Sequence, residues 1–192
     1  MTRQPKAPKL PAAPAQRAAG QKARANGDAF EARLDRIHAG YVARGAVVFR
    51  LGPPSRSVKI GARVLLQPID DAPPDYLAIS EGVSYLFDAK SSETERWPFG
   101  KLKLHQAQHL DLAARAGRGR VVCGVVLALS RGLTVHWLPW SKLGPLWWRW
   151  QATERARAGE GYLDEEACRK IGRECPQGDW LVVARLGIGG EA

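Results

Sequence analysis

The chain has 192 residues, 45% hydrophobic and 25% charged, enough for one globular domain with a core and some appendages. Its net charge of +10 and pI near 10.0 point to a polyanionic partner, nucleic acid first and an anionic membrane surface second. No apolar run reaches membrane-spanning length, no apolar signal core follows the basic N-terminus, and three cysteines without a CxxC pair suit a reducing cytoplasm.

Residues 1–26 carry Arg3, Lys6, Lys9, Arg17, Lys22 and Arg24 and no acidic residue. With Ala, Pro and Gln between them and no apolar repeat, they read as a disordered basic arm, either a phosphate contact or a solvated tail. The rest, 27–192, reads as one domain. From Gly27 to Ala43, Phe30, Leu34, Ile37 and Tyr41 recur at helical spacing, with Asn26 as N-cap and Gly45 past the end. Glu31 lies at the edge of that stripe. It is either solvated or a third carboxylate for the site described below.

Ala46 to Leu51 reads as the first strand. Residues 52–73 leave the sheet after Pro53-Pro54 and return, with Arg56, Lys59 and Arg63 on an alternating hairpin. These three, with Lys101 and Lys103 farther on, are the candidate DNA contacts. Their plain alternative is an ordinary charged surface.

The central stretch runs from Pro74 to Lys90. Tyr76 to Ser80 and Val83 to Lys90 read as strands turned by Glu81-Gly82. A two-residue loop pairs residues whose numbers sum to a constant, so Leu77 faces Leu86 and Asp75 faces Asp88. Opposed carboxylates are destabilising unless a cation neutralises them. Lys90 projects from the same face as Asp88. An oxygen-rich pair of this kind suits Mg²⁺ or Mn²⁺.

Lys101 to Ala116 reads as a second helix opened by His105-Gln106, with Leu104, Gln108, Leu112 and Arg115 along one line. His105 and His109 have metal-pair spacing but no HExxH glutamate, and read as surface or phosphate-facing groups. Val121 to Ser130 is apolar almost throughout, as in a central strand buried on both faces, and Leu133 to Leu138 follows as another. Residues 139–192 form a Trp-rich C-terminal part of the same domain. Its tryptophans, Trp140, Trp147, Trp148 and Trp150, read more readily as core or subunit interface than as base-stacking groups. Asp164 caps a helix through Arg173, and Asp179 to Leu186 reads as a last strand. Cys123 reads as a core residue. With no GxGxxG and no Walker loop, no organic cofactor is expected.

Several of these pieces together resemble the RecU-type Holliday-junction resolvases, a branch of the PD-(D/E)XK nucleases. They are Gly27-x-x-Phe30-Glu31, Tyr41, the Pro53-Pro54 stretch, Asp75-Tyr76, Phe87-Asp88-Ala89-Lys90 and His105-Gln106, over roughly residues 27–138. The resemblance implies an α/β fold of restriction-endonuclease type, a mixed central β-sheet flanked by helices, with 52–73 as a protruding stalk hairpin. It implies a homodimer that cuts four-way DNA junctions with Mg²⁺ or Mn²⁺ in a bacterial cell or a phage-infected host. It would make Asp75, Asp88, the Ala89 backbone carbonyl and Glu31 the metal site, Lys90 the catalytic lysine, and Glu31 and Gln106 supporting catalytic groups. Asp88 departs from the glutamate usual there, which brings the metal nearer the strand or places water between. The alternatives are a related nuclease acting on flaps or duplex ends, and a non-catalytic DNA-binding accessory protein. The complete acid, acid-x-lysine set argues against the second.

Overall fold

The computed structural model describes the backbone of residues 14–52, 55–60, 63–68, 72–153 and 161–188, with side chains over 25–52, 72–153 and 161–186. Residues 1–13 of the expected arm, Pro53-Pro54, and the side chains of Arg56, Lys59 and Arg63 lie outside the described residues.

Helix α1, Pro14–Val42, begins within the stretch read as a disordered arm. Pro14 suits a first helical position, and the Ala-, Gln-, Lys- and Arg-rich residues after it are good helix formers. Asn26 is therefore inside the helix rather than its cap, and its amide donates to Glu93 Oε1 at 2.5 Å. Phe30, Leu34 and Tyr41 form the buried stripe, with Ile37 packed beside them. The chain turns at Gly45, in the left-handed region at φ 89°, into strand β1, Val47–Arg50.

Among the described residues, strands β2, Ser55–Ile60, and β3, Arg63–Pro68, pair only with each other as a two-stranded antiparallel sheet, apart from the main sheet. Strands β4, Tyr76–Ser80, and β5, Val83–Ser91, make the expected hairpin, with Leu77 opposite Leu86 and Tyr76 opposite Phe87. Glu81 at φ 52° and Gly82 at φ 78° give the turn the positive-φ pair that matches strand twist.

After β6, Arg96–Pro98, comes α2, Leu104–Gly117, and it crosses over to β7, Val121–Leu129, which runs parallel to β5. Strand β8, Thr134–Pro139, pairs antiparallel with β7. Helix α3, Trp140–Gln151, strand β9, Tyr162–Asp164, helix α4, Glu165–Ile171, and strand β10, Arg173–Glu174, follow. The six-stranded mixed sheet has the order β1-β4-β5-β7-β8-β10, and β6 pairs with β9 in a separate two-stranded sheet.

The alternation along β7 splits the core. Val126 and Ala128 face α1 and the last helix, and Val125, Leu127 and Leu129 face α2, α3 and α4. Two expectations need correction. Trp180–Ile188 is a helix, α5, and not a strand. Its apolar run is too short for periodicity to separate helix from strand, and Asp179 supplies the cap by accepting from the Val182 N–H at 3.4 Å. On α2 the buried face is Gln106, Ala107 and Leu110, while Leu104 and Leu112 are exposed. Trp140 and Trp147 are core residues as expected, and Trp148 and Trp150 pack partly buried against that core. Asp164 caps α4 by accepting from the Ala167 N–H at 2.8 Å, and Gly172 ends that helix short of Arg173.

Candidate active site

The last hairpin pair, Tyr76 and Phe87, puts Asp75 beside the end of β5. Its main-chain carbonyl accepts from the Leu51 N–H at 2.8 Å, which ties it to the end of β1. Its Oδ2 accepts from the Ala89 N–H at 2.9 Å. An extended residue turns its N–H and C=O to the same side, so the Ala89 carbonyl faces the Asp75 side of β5.

Asp88 is wholly buried on the α2 face of the sheet. Its Oδ1 accepts from Lys90 Nζ at 2.7 Å and from Gln106 Nε2 at 2.8 Å. Lys90 Nζ also lies 3.6 Å from Asp75 Oδ2. Gln106 in turn accepts at Oε1 from the Lys103 N–H at 3.1 Å. One amide therefore caps α2 and fixes the Asp88 carboxylate, which the sequence placed only as a supporting group.

The charges are unbalanced: two carboxylates share one ammonium. Burial pushes the Asp88 carboxyl up to about 7, against the pull of Lys90 and with help from Asp75. Burial alone would lower the Lys90 ammonium, but Asp88 and Asp75 together hold it above its usual range. Asp88 Oδ2 is buried with no donor. An orphaned carboxylate oxygen beside a second, partly exposed carboxylate is a donor set for a hard divalent cation. These residues fit Mg²⁺ or Mn²⁺. Among the described residues no three His, Cys, Asp or Glu side chains gather tightly enough to hold an ion by themselves. Water and phosphate would complete the shell, as Mg²⁺ prefers.

Glu31 is not drawn into that contact. It pairs with Arg50, which also reaches Asp35 Oδ2 at 3.3 Å, and Asp35 Oδ1 accepts from the Tyr76 hydroxyl at 3.1 Å. Burial raises the Glu31 carboxyl, Arg50 lowers it, and Asp75 is close enough to raise it again. Arg50 and Asp35 went unnoticed in the sequence. The signal was there: Glu31 and Asp35 are one helical turn apart, facing a strand that ends in arginine. Lys101 and Lys103 are both exposed on the turn that leads into Gln106. His105 and His109 are half-buried on α2.

An acid pair and a half-buried lysine at one end of a mixed, helix-flanked sheet define the chain as a nuclease of PD-(D/E)XK type. Residues 26–175 match the family model RecU, Recombination protein U, and the chain belongs to that family. The match runs past residue 138 into the Trp-rich part, where the sequence motifs had stopped. Members of this family resolve Holliday junctions, and the protein is an endonuclease of that kind. Among solved structures, Hjc of Archaeoglobus fulgidus, a Holliday junction resolvase from an archaeal hyperthermophile, is 17% identical over 77% of this chain and 95% of its own, with a TM-score of 0.47. A comparison with curated proteins finds no match.

Proposed function

We propose that the protein cuts four-way DNA junctions by metal-dependent hydrolysis, as a homodimer, in a reducing cytoplasm. The observation that carries this reading is the buried Asp88, fixed at Oδ1 by Lys90 and Gln106 and left without a donor at Oδ2.

Asp75 and Asp88 would hold Mg²⁺ or Mn²⁺, with the Ala89 carbonyl on the same side. The ion, when bound, supplies Lewis acidity and neutralises charge that builds on the scissile phosphate. Lys90, its ammonium secured by both carboxylates, donates to the attacking water or to the phosphoryl oxygens as they gain charge. Gln106 keeps Asp88 from rotating away. Water adds to phosphorus and the bond to the 3′ oxygen breaks, which leaves a 5′-phosphate and a 3′-hydroxyl. Glu31 supports the site from the Arg50 side rather than within the inner set. Lys101 and Lys103, beside Gln106, and the hairpin residues Arg56, Lys59 and Arg63 are the proposed phosphate contacts.

A junction has two equivalent strands to cut, which a two-fold dimer meets most simply. Exposed apolar side chains that would serve such an interface occur in the C-terminal part, at Val182 and Leu186, and in a second patch. The second patch is on the sheet's edge, where Val47, Phe49 and Ile79 are each at least 40% exposed, with Val47 paired to Ile79 across β1 and β4. All three cysteines are buried and free, in keeping with a reducing compartment. Among the described residues no helix is long and apolar enough to cross a membrane.

The test is incubation with a mobile four-way junction, a flap and a plain duplex, with and without Mg²⁺. Symmetric cutting of the junction only when metal is present is expected. Cutting confined to flaps or duplex ends, or in the presence of a chelator, contradicts the proposal.

A further inference from the structure

Just beyond Lys90 the chain builds a groove of about 1200 Å³. Ser91 and Ser92, which follow Lys90 at the end of β5, form one wall. The others come from the β6–β9 ribbon, the turn into α2, and the C-terminal end of α3. Three aromatic rings, Phe99, Trp150 and Tyr162, line it together with three cations, Arg96, Lys101 and Arg149. Among the described residues Glu93 is the acidic side chain on its lining, and it accepts from the Asn26 amide.

The groove is shaped by the fold. The Arg96 guanidinium lies 4.5 Å from the Tyr162 ring centroid, and the Phe99 and Trp150 centroids are 5.5 Å apart. Gly161 sits against the Trp150 ring at φ 111°, and a Cβ there would come within 2.6 Å of the indole. The Phe99 N–H donates to the Gly161 carbonyl at 3.1 Å, and Trp147 Nε1–H donates to the Phe99 carbonyl at 3.1 Å. Gly161, the turn at Phe99 and α3 are thus held together around the rings, while Tyr162 remains 46% exposed.

We infer that this groove binds unpaired nucleotides of the DNA strand that passes the catalytic end of β5. A duplex hides its base faces in its own stack and needs only cations along its backbone. Flat rings interleaved with Arg and Lys serve a strand whose bases are free to stack, with phosphates following the positive side chains. The inference rests on the proposed DNA substrate and adds to it a second contact, which would hold a strand locally unpaired at the branch beside the site of cutting.

The experiment measures anisotropy of a short fluorescein-labelled oligothymidylate and of a blunt duplex of equal length, with the full chain and no metal. Tyr162→Ala is expected to weaken oligothymidylate binding about fivefold or more, the lower range for loss of one base–aromatic stack, and duplex binding by less than about twofold. Tyr162→Phe, which keeps the ring, is expected to match the unsubstituted protein. Tyr162→Leu, which keeps apolar bulk without a flat face, is expected to lose as much as alanine. Equal losses on both DNAs, no loss on oligothymidylate, or full affinity with leucine overturns the inference. Failure of the junction reading shows elsewhere, as absence of junction cutting by the unsubstituted chain with Mg²⁺, whatever the oligothymidylate results.

Discussion

The two faces of the sheet each bury polar groups, and they treat them in opposite ways. On the α1/α5 face, His38 is buried, and its Nε2 accepts from Trp180 Nε1–H at 3.0 Å, so the neutral ring carries its proton on Nδ1. The Tyr41 hydroxyl beside it donates to Asp179 Oδ1 at 2.6 Å and accepts from the Leu181 N–H at 3.3 Å. Each of these groups finds its partners within the protein, and the network fastens the last helix to the first. On the α2 face, Asp88 is equally buried but ionisable, over-supplied with a neighbouring carboxylate and short of a donor at one oxygen. A closed polar network specifies a packing, whereas one left open by a single oxygen is a place for a ligand.

If that contrast holds, substitutions on the two faces should separate stability from activity. The largest effect is on cutting. Asp88→Asn keeps the shape and the Oδ1 acceptor, and should abolish junction cleavage while junction affinity, which rests on basic side chains, stays within about twofold. Gel shifts and cleavage assays on one protein preparation check this. Parallel loss of binding would make Asp88 a structural residue. Asp75→Asn should behave likewise.

On the opposite face the order reverses. Trp180 is fully buried among His38, Tyr41, Phe87 and Trp137. Trp180→Ala should lower unfolding free energy by about 3–5 kcal/mol, read by denaturant titration. Residual folded protein should cut at an unchanged rate per folded molecule.

The His38 contact gives a pH signature next in size. Burial depresses its pKa to about 4, with Asp35 opposing. Between about 6.5 and 4 the unfolded chain takes up a proton that the folded chain refuses, so stability falls as pH falls through that window. The loss attributable to this ring is at most about 3–4 kcal/mol, and it should vanish in His38→Gln when the two are compared at each pH. An identical pH slope in both would mean that the ring is not held neutral by this packing.

The smallest effect concerns Arg50, which is half exposed. Arg50→Ala breaks its pairs with Glu31 and Asp35 and should change stability by less than about 1 kcal/mol. Its value is in placing Glu31. If the variant cuts normally, the Glu31–Arg50 pair is a surface contact with no part in the chemistry.

Legibility in the sequence followed the range of the forces involved. The β4–β5 register was readable because a two-residue Glu-Gly turn leaves one pairing, and Asp75, Asp88 and Lys90 followed from it. Val121–Leu129 announced itself by being apolar on both faces. The last helix did not, since Leu181 to Ala184 is apolar at either period and only Asp179 hinted at a cap. The upstream half of α1 was lost to the weight given to basic charge over alanine content. The double use of Gln106, and the diversion of Glu31 to Arg50, depend on side chains that meet only after α1, β1, β5 and α2 have packed. The local pattern offers candidate partners, such as Glu31, Asp35 and Arg50, but does not record that they meet.

Metal binding by the open carboxylates is the most direct test of the site. Calorimetric titration of Mn²⁺ into the full chain without DNA should give a binding event that Asp75→Asn and Asp88→Asn each remove and that Lys90→Ala retains. A titration curve unchanged by Asp88→Asn would contradict it, and the donorless oxygen on the α2 face would then be a feature of packing alone.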